Sequence, residues 1–236
     1  MHSHQIDKIK TPSALSDIAA DAIRNAIVTG QYELGAPLSE NALSEATGIS
    51  KTPIRDALAQ LRHEGLVRIV PRKGTFVFTL SVDDVAQLGR YRYLLESAAL
   101  ELSWRHNEEA LLQALRKTCE EMTLAHGESD LASYLAIDGR FHQELVSFCD
   151  NDFLLRGYKG ISSQVAAIRT HLSQYPEHTD KSKHEHFEIL RLLQNRSIEE
   201  AKQVLERHVT RGERTFAAGT ADITAAGRDG KKTRGK

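Results

Sequence analysis

Cysteine is scarce in this chain: two residues among 236, Cys119 and Cys149. Their separation matches no metal knuckle, and both fall inside helical patterns, so they read as reduced, packed thiols. Long apolar runs are missing as well. No stretch is long enough to span a bilayer, and the polar, histidine-bearing start lacks the apolar core of a signal peptide, so a cytoplasmic protein with no membrane partner is expected. Net charge of either sign is nearly absent, with 31 Lys/Arg against 32 Asp/Glu. That balance excludes a uniformly basic protein but not a locally basic face, because the field of one face governs an encounter. The length allows one large or two modest domains with a real core. From residue 81 onward there is no convincing strand signal, no internal repeat and no Gly/Ser tether.

What is present concentrates first in residues 50–78, SKTPIRDALAQLRHEGLVRIVPRKGTFVF. Ser50 is a helix-start residue whose hydroxyl can accept a bond from a first-turn amide. Pro53 is tolerated there because those amides lack intrahelical partners. Ile54, Leu58 and Leu61 recur at helical spacing, which leaves Lys51, Arg55 and Arg62 on other faces. Gly65 stops the helix. Leu66 to Val70 and Thr75 to Phe78 read as strands joined by a tight Pro71-Arg72-Lys73-Gly74 turn.

Upstream, a helix is expected from about Ser13 to Thr29, with Leu15, Ile18, Ala19, Ala22, Ile23, Ala26 and Ile27 buried and Gly30 as its stop. Gly35 and Pro37 read as a loop. Ser39 caps a short helix through Ala46, and Thr47-Gly48-Ile49 turns into the next. The order helix, helix, turn, helix, hairpin is a winged helix-turn-helix, expected over 12–80 behind a polar 1–11 segment. Its third helix would enter the major groove, and its wing would lie over phosphates or the minor groove. The plain alternative is a small unit with a solvated basic face. Charge placement argues against that: six Lys/Arg face two Asp/Glu between Lys51 and Lys73, while the two signs balance, seven against seven, over 11–80.

The run PLSENALSEATGISKTPIRDALAQLRHEGLVRIVPRKGTFV resembles the DNA-binding domain of GntR-family transcriptional regulators. The chain behind it resembles the FadR-type branch, with its all-helical C-terminal domain, known as FCD. The resemblance covers roughly residues 12–216. It implies that Arg55 is the leading DNA contact, with Lys51, Thr52, Asn41 and Gly74 beside it and Arg72 and Lys73 on the wing. Many relatives carry arginine at the places of Asn41 and Lys51. Lysine lacks the planar fork that reads guanine, so Lys51 is expected to serve phosphate.

The second half reads as an all-α bundle over 81–217. Ser81 with Asp84 forms a capping signal, so the linker is short and mechanical coupling between the domains is plausible. Helical periods cover about 82–105, 108–126, 129–149, 152–173, 182–194 and 197–216. Four of them carry ionisable residues on apolar stripes: Arg92 among Val85, Leu88, Leu95, Ala99 and Leu102; Asp138 and His142 among Leu131, Leu135, Leu145 and Cys149; His186 beside Ile189, Leu190 and Leu193; His208 beside Ala201, Val204 and Leu205. A buried unpaired charge costs several kcal/mol, so these residues need one another or a shared partner. Asp138 and His142 lie one turn apart and can face one point. With His186 and His208 they form a donor set suited to a divalent transition metal of the Zn, Ni or Mn class, with positions open for water or a ligand oxygen. Each histidine alone would read as an ordinary core or surface residue; four polar residues on buried stripes do not. His184 lies about 200° around the helix from His186 at ~3.6 residues per turn, and so points away. His171 and His178 read as solvated, near a helix end and in a loop.

The resemblance agrees. D-x3-H at Asp138 and His142, the pair Glu185-His186 and the later His208 resemble the FCD metal motif, and Arg92 with Glu96 resembles its R-x3-E signature. It implies a metal that helps bind a small carboxylate effector, with Arg92 or Arg169 pairing to the carboxylate. The acyl-CoA-binding relatives lack this set, which makes acyl-CoA an unlikely ligand here. Residues 218–236, with five cations against one anion in GRDGKKTRGK, read as a basic disordered tail with a weak attraction for DNA. The expectation is a homodimeric repressor on a pseudo-palindromic operator, with no catalytic residues. Two rivals stand beside it: a metal-dependent hydrolase or lyase with an accessory DNA domain, and a regulator whose metal is purely structural.

Overall fold

The computed structural model describes residues 15–218, which divide into two compact units, the first over 15–27 and 31–78 and the second over 79–218 with 28–30. The expected 1–11 segment and all but the first residue of the basic tail lie outside the described residues.

The first unit carries α1 (Leu15–Val28), β1 (Pro37–Leu38), α2 (Glu40–Thr47), α3 (Lys51–His63), β2 (Val67–Val70) and β3 (Gly74–Val77). Its buried apolar residues include Ile54, Ala57, Leu58 and Leu61 on α3 and Ala19, Ala20, Ile23 and Ile27 on α1. Fully burying one such leucine or isoleucine contributes roughly 1.5–3 kcal/mol. Leu15 and Ile18, expected inside, are 57% and 51% exposed, and Ala22 is exposed too; the buried face of α1 is narrower than its apolar face. Arg24 reaches across to Glu64 with a two-pronged ion pair at 2.7 and 2.8 Å, tying α1 to the end of α3.

The ends of these helices follow local chemistry. Ser39 Oγ accepts from the Ala42 amide, and Gly48 ends α2 in the left-handed region, φ 68°. Ser50 occupies the N-cap of α3, but its hydroxyl makes no cap bond, contrary to expectation; its carbonyl accepts from the Ile54 amide instead. Gly65, with φ 73°, follows α3 and turns the chain into β2. Pro37 and Leu38, expected in a loop, form an edge strand against Phe76 and Thr75, giving the sheet order β1-β3-β2, antiparallel throughout. Proline is admissible at the first position of an edge strand, where no ladder donor is required.

The second unit is helical: α4 (Val82–Gly127), α5 (Leu131–Ser147), α6 (Asp152–Leu172), α7 (Pro176–Gln194) and α8 (Ile198–Thr210), with a further helical stretch over 212–218. Ser81 and Asp84 form a reciprocal capping box at the start of α4. The two helices read at 82–105 and 108–126 are the two arms of α4, which breaks at Asn107 (φ −141°, ψ 39°). The Asn107 side chain donates to the Phe148 carbonyl at 2.8 Å, so the break is tied to the end of α5. Pro176 at the first position of α7 starts that helix six residues earlier than its apolar period suggested. Leu100, Leu111, Leu115, Met122, Phe141, Leu145, Ile189 and Leu205 build a continuous core. At Gly89, a Cβ would lie 3.1 Å from the Val209 carbonyl, so glycine lets α4 and α8 approach closely. Among the described residues no helix is long and apolar enough to cross a membrane.

Candidate functional site

In the first unit Asn41, Lys51, Thr52 and Arg55 are all exposed, on α2 and the first turns of α3. Arg55 donates to Glu40 through Nη2 at 2.9 Å and Nε at 3.3 Å, which raises the guanidinium's proton affinity and fixes its direction. Such an exposed pair contributes little to stability and is easily exchanged for another anion. The wing tip is Pro71-Arg72-Lys73, closed by the Lys73 amide donating to the Val70 carbonyl at 3.0 Å. Arg72 sits at φ 62° and Gly74 at φ 113°, and both are exposed with Lys73. The second of these conformations is open to glycine and strained for other residues.

The second unit buries a polar cluster at the meeting of α4, α5, α7 and α8. His142 and His186 are fully buried, and His208 is 7% exposed. His142 Nε2 stands 2.9 Å from His208 Nε2 and 3.1 Å from His186 Nε2. Burial pushes all three imidazoles below their ordinary value, His186 to about 4, so they are neutral near pH 7.

Their tautomers follow from their outer partners. His142 Nδ1 faces Glu96 Oε2 at 2.7 Å, and His208 Nδ1 faces Glu185 Oε2 at 2.9 Å. Glu96 is wholly buried; burial pushes its carboxyl up, and Arg92 Nε, 2.5 Å from Oε1, opposes that rise. Arg211 pairs through Nη1 with Glu185 Oε2, the same oxygen that faces His208. With protons drawn to Nδ1, the Nε2 lone pairs of His142 and His208 are aimed at each other across 2.9 Å. Two opposed lone pairs repel unless a cation lies between them. Nitrogen donors at ~2.0–2.1 Å from one ion stand about 2.9–3.4 Å apart, which the observed spacing fits. His142, His186 and His208 could therefore hold a metal ion.

Asp138 is 2% exposed and stands beside this group, with Oδ1 4.0 Å from His142 Nε2 and Oδ2 3.9 Å from His186 Nδ1. It is ion-paired with Arg169, and Ser182 Oγ donates to its Oδ2 at 2.9 Å. Burial alone would raise its carboxyl; Arg169 and the neighbouring imidazoles outweigh this and hold it well below the usual carboxylate range. His186 Nδ1 is buried without a hydrogen bond.

Against the cluster lies a cavity of about 70 Å³, lined by Arg92, Asp138, Arg169, His178, His208 and Arg211 among apolar residues such as Val85, Leu88, Val165 and Ile168. Glu185, named with His186 in the motif the resemblance supplied, turns to His208 on α8. Two of the cavity's polar residues carried no sequence signal of a role here, Arg211 and His178. His178, read as solvated in a loop, lies half-buried in α7, bonded through Nδ1 to Thr215 Oγ1 at 3.0 Å. His184 is exposed as expected, and His171 is half-buried against Phe216. The thiols sit apart from the site: Cys119 and Cys149 are free and buried.

Residues 15–77 match the model of bacterial regulatory proteins of the gntR family, and residues 87–211, more than half of the chain, match that of the FCD domain. The chain is 36% identical over 132 residues to an HTH-type transcriptional regulator in the TAR-I ttuE-ttuC' intergenic region of Agrobacterium vitis, covering 55% of this chain and 77% of the relative. It is 28% identical to the gluconate operon transcriptional repressor of Bacillus licheniformis, covering 75% of this chain and 70% of the relative. A GntR transcriptional regulator from Rhodococcus sp. RHA1 superposes with a TM-score of 0.76 over 87% of this chain and 99% of its own, at 20% identity, which is a likeness of fold. With a winged helix-turn-helix and an FCD bundle in one chain, this protein belongs to the GntR family of transcriptional regulators.

Proposed function

We propose that this regulator is a homodimeric repressor whose grip on a pseudo-palindromic operator is set by a small organic acid bound over a metal ion. His142, His186 and His208, with Asp138 beside them, would hold the ion, of the Zn, Ni or Mn class. The ion would supply a Lewis-acidic seat for a carboxylate oxygen. The single observation that carries this reading is the approach of His142 Nε2 and His208 Nε2 to 2.9 Å beside a cavity lined by Arg92 and Arg169. The residues of the chain then act in definite ways. Glu96 and Glu185 keep Nδ1 protonated and the rings in place. Arg92 and Arg169 present guanidinium donors to the acid. Three relatives are repressors by name, and two of them are repressors of a gluconate operon, which brings hydroxy acids forward as a ligand class.

On DNA, Arg55 would read a base edge, Lys51, Thr52 and Asn41 would hold phosphate and base edges near it, and Arg72, Lys73 and Gly74 would seat the wing. The acid changes operator affinity only by as much as its affinities for the two states differ.

The test is the melting temperature of metal-loaded protein against a panel of hydroxy acids and simple acids, repeated after chelation. Saturation at a hundred times the dissociation constant adds about 2.7 kcal/mol, or roughly 2–4 °C for each kcal/mol in a chain of this size. A shift for one acid that vanishes with chelator supports the reading. Collapse on chelation with no response to any acid would make the metal structural. Turnover of an acid would bring back the enzymatic rival.

A further inference from the structure

Each of three arginines in the second unit, Arg92 and Arg211 buried and Arg169 half-buried, is tied to a carboxylate that stands by one of the three histidines. Arg92 pairs with Glu96, which holds His142; Arg211 pairs with Glu185, which holds His208; Arg169 pairs with Asp138, whose Oδ2 is 3.9 Å from His186 Nδ1. None of the three spends its whole fork on that carboxylate. Arg92 Nη2, Arg169 Nη2 and Arg211 Nε are buried and make no hydrogen bond. All three side chains line the same cavity, and they come from different elements: α4, α6 and the residue just past α8.

Buried guanidinium donors left without acceptors are costly, and a ligand that supplies acceptors removes that cost. A single carboxylate has two oxygens and fits one or two forks, not three on separate walls. The charges point the same way. Arg92, Arg169 and Arg211 are each matched by one carboxylate, Glu96, Asp138 and Glu185, three against three. A divalent ion then leaves two positive charges to be compensated.

Resting on the reading of this cavity as the acid site, we propose that the ligand is a short dicarboxylate, and that Arg211 is a third binding residue that takes the second carboxylate. Arg92 and Arg169 face the first. The apolar walls at Val85, Leu88 and Val165 leave room for a short carbon chain, and the small volume limits its length.

Calorimetric titration of metal-loaded, full-length protein decides the matter, with malonate and succinate set against propionate and butyrate, the monoacids of equal carbon number. Each diacid is expected to bind about tenfold or more tightly than its monoacid, as befits an added charge-assisted contact. Compared at equal metal occupancy, Arg211→Gln should abolish that margin, read as the ratio of monoacid to diacid dissociation constants within the variant, while the monoacid still binds. Monoacids binding as well as diacids would overturn the two-carboxylate ligand and leave the acid site standing. Binding of no acid at all would overturn both. If Arg211→Gln fails to fold, the wild-type pairs still decide the ligand class, and Arg211→Lys, which keeps charge without the fork, decides the residue. A full margin in whichever variant is folded would remove Arg211 from the site.

Discussion

Glu96 Oε2 and His142 Nδ1 stand 2.7 Å apart, both without solvent exposure, on helices α4 and α5. The pair explains why a carboxylate is retained in the core. It fixes one imidazole proton on the outer nitrogen and so turns the inner lone pair toward His208 and His186.

Glu96→Gln keeps the shape and removes the charge. Metal affinity should fall about 10–100-fold, the usual effect of losing an outer partner of a ligand histidine. Competition with a chromophoric chelator measures it, with circular dichroism as the check on folding. An unchanged affinity would remove Glu96 from the metal's support.

Histidines 184 and 186 give a sharper contrast, because they share a helix and differ in face. His186→Ala should abolish stoichiometric metal binding, whereas His184→Ala should leave it intact. Metal analysis of the two purified variants reads the result directly. The reverse pattern would overturn the assignment of faces.

Arg55→Ala should abolish sequence-specific DNA binding while the metal content stays at the wild-type level. Arg55 is exposed and held only by Glu40, so the substitution costs the fold little. Anisotropy on duplex DNA selected in vitro by the wild-type protein tests this, and a variant that still discriminates the selected sequence would sink the recognition role of α3.

Acid should weaken the second unit through His178. Burial, with the positive charge of Arg211 nearby, pushes its imidazole down to about 4, against an unfolded value near 6.5. Between these values the unfolded chain binds more protons, so the stability from neutral His178 is complete above about pH 6.5 and is lost as pH falls toward 4. At equal metal content, His178→Gln should therefore show a smaller fall in melting temperature between pH 7 and pH 4. An identical fall would mean that His178 is not held neutral.

Much of the first unit could be read from spacing and punctuation: Ile54, Leu58 and Leu61 on one face, Gly48 and Gly65 at the ends of helices, and the Pro71-Arg72-Lys73-Gly74 turn. What escaped there was set by tertiary pairing. Pro37 and Leu38 become a strand only because β3 lies alongside, and Leu15 and Ile18 stay exposed beside the buried Ala19, Ala20, Ile23 and Ile27. In the second unit periodicity indicated which faces are buried, and it pointed to Arg92, Asp138, His142, His186 and His208. It could not show how a residue at the edge of a stripe reaches a neighbouring helix. Glu185 lies about 100° around α7 from His186, yet its carboxylate spans to His208 on α8 and to Arg211 beyond. Pro176 at the start of α7 was the available signal that His178 lies in a helix.

The most direct test of the central claim is the affinity of metal-loaded protein for its selected operator duplex, measured with and without saturating acid and again after chelation. The account predicts that acid changes the dissociation constant of the metal-loaded protein and has no effect once the metal is removed. A dissociation constant that responds to acid equally with and without metal, or to neither, would contradict it.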